Sequence, residues 1–186
     1  FEVVFLPVYG DGKIKLDDFK KELDESVILV SIMLVNNETG AVQPVKEAAS
    51  LTKRLCKNAL FHCDMVQGFG KTGDTVKDLG VDLLSVSGHK IHAPKGVGAL
   101  YVKSGVKINN ILFGGGQEKG MRSGTENVPA IAAFGVAAEE LPNEKEALER
   151  TAKLSDFVKN SLSEIEGIVF NSPDDALPYI VNFSLP

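Results

Sequence analysis

Three apolar runs that each end in polar side chains constrain this chain more than any other feature. Residues 27–35 are almost continuously apolar, the pattern of a strand covered on both faces of a parallel sheet, and the run stops at Asn36-Asn37-Glu38-Thr39-Gly40. Residues 60–66 form a second run that carries Asp64 and leads to Gln67. Residues 83–86 form a third, leading through Ser87-Gly88-His89 to Lys90. Between the first two, a helical pattern runs to about Lys57 with Pro44 at its first position. It holds Val45, Ala48, Ala49, Thr52, Leu55 and Cys56 on one face. Strand, helix and strand in that order imply a right-handed parallel crossover. The expected fold class is therefore α/β, a mostly parallel sheet flanked by helices in three α/β/α layers.

The remaining segments fill in this frame. Asp17 is placed to cap a short helix over residues 16–23, and a helical segment is expected near residues 76–80. Residues 96–102 read as a strand adjoining the third run. Residues 109–127 are glycine-rich and irregular, a loop long enough in a compact domain to imply function. Residues 130–141 are apolar almost all round and predict a buried helix ended by Pro142. Residues 143–165 predict an amphipathic helix with Leu148, Ala152, Val158, Leu162 and Ile165 as its apolar stripe. Strands are expected at both termini, over residues 1–8 and 178–184, so the chain reads as an excised part of a longer protein.

Composition narrows the function classes. A chain of 186 residues fits one domain, and a net charge of −5 argues against a nucleic-acid partner. No apolar run reaches the roughly 18 residues that a membrane span needs. Two cysteines, Cys56 and Cys63, are too few for a disulfide framework and point to a reducing, cytoplasmic setting. With one on a helix face and the other inside a strand, both read as inert packing.

Open α/β sheets bind ligands outside the carboxyl ends of their strands, where Lys90, Asp64, Gln67 and Asn37 all fall. A lone lysine is most often a solvated surface residue, and each polar partner taken singly is most simply a turn residue. A lysine amine and a carboxylate at neighbouring strand ends, however, are what pyridoxal phosphate requires. The lysine forms the Schiff base, and the carboxylate keeps the ring nitrogen protonated so that the ring works as an electron sink. His89 is expected to donate to an anionic or polar group, with Ser85 or Ser87 beside it. No metal site is expected: His62-Cys63-Asp64 alternates across a strand, and His89 and His92 lack further ligands. Gly70-Lys71-Thr72 resembles the end of a P-loop but has Met65 where the first glycine belongs. Gly114-Gly115-Gly116 fails the dinucleotide spacing at Lys119 but could bind an anion through backbone donors.

Four blocks in order carry a family resemblance: Val35-Asn36-Asn37-Glu38-Thr39-Gly40, Asp64 with Gln67, Ser85-Val86-Ser87-Gly88-His89-Lys90, and residues 114–127 ending in Arg122-Ser123-Gly124-Thr125-Glu126-Asn127. The chain resembles, over nearly its whole length, the cysteine desulfurases of the class V aminotransferase family. The last block resembles the nitrogenase- and iron–sulfur-cluster-associated group. The resemblance implies the large domain of a fold-type I pyridoxal phosphate enzyme that takes sulfur from L-cysteine, leaving alanine and an enzyme-bound persulfide. It implies residues 1–141 as the core of the cofactor-binding domain, with 142–186 running into a truncated small domain. By the same resemblance Lys90 forms the Schiff base and shuttles protons, and Asp64 pairs with the pyridinium nitrogen. Gln67 bonds the cofactor's phenolic oxygen, Ser87 and His89 contact its phosphate, and Asn37 lies near the cofactor oxygen and the substrate carboxylate. Thr125 reaches the phosphate of a neighbouring subunit, which implies a homodimer, and a sulfur-acceptor or scaffold protein is the implied partner. The family's sulfur-accepting cysteine and carboxylate-binding arginine have no counterpart here, so the isolated chain is expected to be inactive. Selenocysteine lyase or aminotransferase chemistry, or an inactive scaffold, are the alternative readings.

Overall fold

The computed structural model describes residues 1–185. Its centre is a four-stranded sheet of β1 (Leu29–Met33), β2 (Leu60–Asp64), β3 (Leu83–Ser87) and β4 (Gly98–Val102), ordered as in the sequence. β1, β2 and β3 run parallel, and β4 returns antiparallel against β3. The mostly parallel sheet with flanking helices matches the fold class read from the sequence. β4 can be antiparallel because the connection from β3 is short, whereas the parallel pair β1 and β2 needs the crossover helix α2 (Val45–Leu55).

Register decides which side chains meet. Val30 lies beside Phe61 and Ile32 beside Cys63, with Leu84 next in the row. These side chains are buried together with Val45, Ala48 and Ala49 of α2, Phe19 of α1 (Leu16–Lys21) and Leu79 of α3 (Val76–Leu79). The opposite face of β1 is open: Leu29 and Met33 are exposed, so β1 is covered on one face within this chain and not on both. α3 forms where expected, with Thr75 as its cap in a reciprocal bond with Asp78. α1 differs from expectation at its start. It begins at Leu16 after Lys15, which makes no capping bond, and Asp17 lies in the first turn, where its charge favours the helix dipole. Pro44 stands just before α2.

Four expectations change. Residues 1–7 form no strand, and beside them Val8 pairs with Ile14 in an isolated bridge. Of residues 178–184, only Phe183–Ser184 (β6) is a strand, paired with β5 (Val169–Phe170). α4 (Val128–Glu139) is the apolar helix expected from composition, but only Ala130 of it is buried, and Val128 and Val136 are exposed. α5 (Glu144–Leu162) buries Ala147 and Ser155, and Leu148 packs on the core; Val158 of the expected stripe is exposed, and Ile165 is exposed beyond the helix end. α4 is tied to the loop after β2 through Phe134, whose ring meets that of Phe69 edge-on with centroids 6.5 Å apart. Among the described residues no helix is long and apolar enough to cross a membrane.

Candidate functional site

The site grows from the carboxyl ends of the three parallel strands. On the open face of the sheet Met33, Asp64 and Ser85 stand side by side in register. Just beyond them the loops leave the sheet, and each is held by short-range bonds. After β1, Asn36 Oδ1 accepts from the backbone N–H of Glu38 and Thr39 at 2.9 Å, an Asx-type turn that projects Asn37. After β2, Asp64 Oδ1 accepts from the Val66 N–H at 2.9 Å, which draws the chain back toward Gln67. After β3 the chain enters a 3-10 turn, Gly88–Ile91, that carries His89 and Lys90 and ends at His92 in the left-handed region, φ 71°.

These loops enclose a crevice of about 230 Å³ lined by Met33, Val35, Asn37, Asp64, Val66, Gln67 and Lys90. Four of the residues singled out from the sequence, Asn37, Asp64, Gln67 and Lys90, therefore converge. Met33, Val35 and Val66 supply apolar walls that sequence reasoning did not name; their place at the ends of apolar runs was the available signal. Ser87 and His89 are not in this lining. They form their own pair, Ser87 Oγ and His89 Nδ1 at 2.7 Å, on the turn that delivers Lys90. Thr125 is exposed in the glycine-rich loop and does not line the crevice. A larger cavity of about 390 Å³ lies between the 3-10 turn and α4, but apart from His92 and Glu140 its lining is apolar. The smaller crevice holds the chemistry.

Electrostatics separate the groups that can act from those that cannot. Burial pushes the Cys63 thiol up to about 12, and it raises that of Cys56 as well. Both thiols are inert, Cys63 buried within β2 and Cys56 buried at the end of α2. His62 points to the other face, between the Ser31 and Ser85 hydroxyls at 2.8 and 3.1 Å, and burial lowers its pKa against the pull of Asp64. Lys71, on the loop that follows Gln67, is held below its ordinary value by burial and then by the Lys90 ammonium. Asp64 keeps hydrogen-bonding capacity, since among the described residues only the Val66 N–H reaches its carboxylate.

The donor set fits pyridoxal phosphate. An amine for its aldehyde, a carboxylate for its ring nitrogen and an amide for its ring oxygen share one small crevice with apolar walls.

Comparison with known proteins agrees with this chemistry. The profile of the family described as Aminotransferase class-V matches residues 1–186. The chain is 43% identical to a protein named cysteine desulfurase IscS from Clostridium botulinum, covering 99% of this chain and 47% of that protein. It is 44% identical to a mitosomal cysteine desulfurase from Encephalitozoon cuniculi, covering 100% and 43%. Among solved structures it superposes on a NifS-like protein with TM-score 0.88 at 42% identity, covering 96% of this chain and 49% of the other. It superposes on SspA in complex with cysteine with TM-score 0.86 at 34% identity, covering 100% and 52%. The chain thus spans about half the length of the curated relatives it matches. The match over every residue, together with the lysine and aspartate at adjacent strand ends, means that the chain belongs to the class V aminotransferase family.

Proposed function

We propose that the whole protein is a pyridoxal phosphate-dependent cysteine desulfurase and that this chain provides the cofactor-binding part of its site. The observation that carries the reading is the convergence of Lys90, Asp64, Gln67 and Asn37 on one crevice. The reaction transfers a sulfur atom from L-cysteine to an enzyme thiol: the substrate's C–S bond breaks, an S–S bond forms, and L-alanine and an enzyme persulfide result. The bound cofactor supplies a protonated ring that accepts the electron pair released from the substrate.

The chain's own residues do the rest. Lys90 supplies the amine that holds the cofactor aldehyde and then carries protons at its Nζ. Asp64 keeps the ring nitrogen protonated, a role suited to a carboxylate with unfilled hydrogen-bonding capacity. Gln67 donates to the ring oxygen, Asn37 binds near that oxygen and the substrate carboxylate, and the Ser87–His89 pair receives the phosphate. Thr125 serves the phosphate of a second subunit in a homodimer, a reading supported by Ile111 and Phe113 of the same loop, 88% and 80% exposed. The accepting thiol is neither Cys56 nor Cys63, because both are buried. Residues 1–141 act as the core of the cofactor-binding domain and 142–186 as the start of a small domain. The persulfide passes to an acceptor or scaffold protein, and the protein works in the cytoplasm, a setting supported by the two unpaired thiols.

The test is to add pyridoxal phosphate to the chain, reduce with borohydride and locate the label by peptide mass mapping. A single label on Lys90 is expected. Labelling spread over the other lysines, or absent from Lys90, overturns the assignment.

A further inference from the structure

The turn that presents Asn37 is held from inside by Asn36 and from outside by residues 172–182, a segment with no part in the reaction proposed above. In that segment Leu177, 5% exposed, donates its N–H to Gly40 O at 2.9 Å. Gly40 has φ +77°, and a Cβ there would stand 3.1 Å from that of Ile180 and 3.2 Å from that of Ala176, so the two stretches of backbone are in close contact. An ion pair of Asp175 with Lys13 fastens the segment to the turn at residues 9–13 as well. Asn182 makes the contact nearest to Asn37. Its Nδ2 donates to Glu38 O at 3.1 Å, and among the described residues no other hydrogen bond reaches that carbonyl.

The rest of Asn182 is anchored. Its N–H donates to the hydroxyl of the buried Ser172 at 2.8 Å, its carbonyl accepts from the Asn171 N–H at 2.9 Å, and its Oδ1 accepts from Asn171 Nδ2 at 2.8 Å. With backbone and Oδ1 committed, the amide donor of Asn182 is a fixed post for the Glu38 carbonyl. Glu38 carries the restraint on to the crevice, because its Oε1 accepts from Asn37 Nδ2 at 2.8 Å. An amide nitrogen has two protons, so the one given to Glu38 sets the direction of the other on a side chain that lines the crevice. The Asn36 turn cannot do this alone, since it engages the N–H groups of Glu38 and Thr39 and leaves the Glu38 carbonyl unheld. We propose that Asn182 is a positioning residue of the cofactor site: by holding the Glu38 backbone it keeps the Asn37 amide aimed at the cofactor's ring oxygen. A donor ordered in advance loses little freedom when the ligand arrives, and a loose one loses more. The inference rests on Asn37 acting near that oxygen, and it makes residues 172–182 a support of the site.

The test is a double-mutant cycle on the full-length protein, stripped of cofactor and titrated with pyridoxal phosphate, with binding followed by visible absorbance. Asn37→Ala should weaken binding by about tenfold, the loss of a hydrogen bond to a charged oxygen. Asn182→Ala should weaken it by about fivefold, the size of one neutral hydrogen bond. Made in the Asn37→Ala background, Asn182→Ala should add less than about twofold, because the group through which it acts is gone. Asn182→Asp keeps an acceptor for Asn171 and has no donor for Glu38, so it should reproduce the binding loss with a smaller fall in urea midpoint. It decides the question if Asn182→Ala does not fold. The same binding loss from Asn182→Ala in both backgrounds would show that Asn182 only supports the fold, and it overturns the inference, as does unchanged binding in Asn182→Asp. Unchanged binding in Asn37→Ala overturns it together with the role of Asn37, while the borohydride label on Lys90 still decides the cofactor reading separately.

Discussion

Two aspartates at opposite ends of the same sheet show how position decides what a carboxylate does. Asp82 stands just before β3, 6% exposed, with a partner from the chain on each carboxylate oxygen. One oxygen accepts from the Phe61 N–H at 3.1 Å and the other from Lys103 Nζ at 2.9 Å. Asp64 ends β2 at the other edge, half-buried, and receives only the Val66 N–H. At the amino end of the strands the neighbouring strand and the β4 exit supply partners. At the carboxyl end the loops diverge and leave a crevice, so the same side chain keeps acceptor capacity for a ligand. One aspartate is structural and the other is available for chemistry.

The largest expected effect lies at the available end. In the full-length protein Lys90→Ala should lower desulfurase turnover by on the order of 10⁴-fold with an unchanged circular dichroism spectrum, because only a proton-carrying amine at a strand end is lost. Retained turnover would place the reacting amine elsewhere. Asp64→Asn should weaken pyridoxal phosphate binding by about 1.5–3 kcal/mol, the worth of a hydrogen bond to a charged group. The same change should shift the urea midpoint little, and a stability loss comparable to that of Asp82→Ala would erase the distinction between the two aspartates.

At the structural end the pattern should invert. Asp82→Ala strands the buried Phe61 N–H and should cost about 2 kcal/mol in urea denaturation. Lys103, 47% exposed, returns to water and adds little. Labelling of Lys90 by pyridoxal phosphate should persist in this variant, and its loss would couple the two ends of the sheet.

The smallest effect concerns His62, which lies between them on β2. Burial lowers its folded pKa below the ordinary value of about 6.5, so the unfolded chain takes up the proton first as pH falls. Stability from this residue is therefore complete above about pH 6.5 and lost as pH drops from there toward the folded pKa. His62→Gln should flatten the decline in urea midpoint between about pH 7.5 and pH 5.5. An equally steep decline would assign it to other groups.

Much of the site was legible because its parts are local. The ends of the runs at residues 60–66 and 83–86 already placed Asp64, Gln67 and Lys90 where ligands bind to α/β sheets, and the structure brings them to one crevice with Asn37. α2 was equally plain, its buried Val45, Ala48, Ala49 and Thr52 following the helical period, although Leu55 of the expected face is exposed and Cys56 lies just past the helix end. Lys71 carries no signal in the sequence beyond an incomplete phosphate-loop pattern. Its surroundings come from Tyr179 and Lys90, 108 and 19 residues away in sequence, and no pattern along the chain connects them.

By itself the sequence determined which segments are strands and helices in the central sheet and which polar groups stand at the strand ends. Periodicity and turn chemistry act over a few residues, and those properties depend on nothing longer. Only the tertiary structure decided exposure and partnership. α4 is as apolar as any buried helix, yet it keeps Val128 and Val136 on the surface, and β1 is buried on one face where its run of apolar residues suits two. It also decided that both oxygens of Asp82 have partners while, among the described residues, only one oxygen of Asp64 does. Burial and hydrogen-bond saturation depend on which distant segments arrive at a place, and that is fixed by the packing of the whole chain.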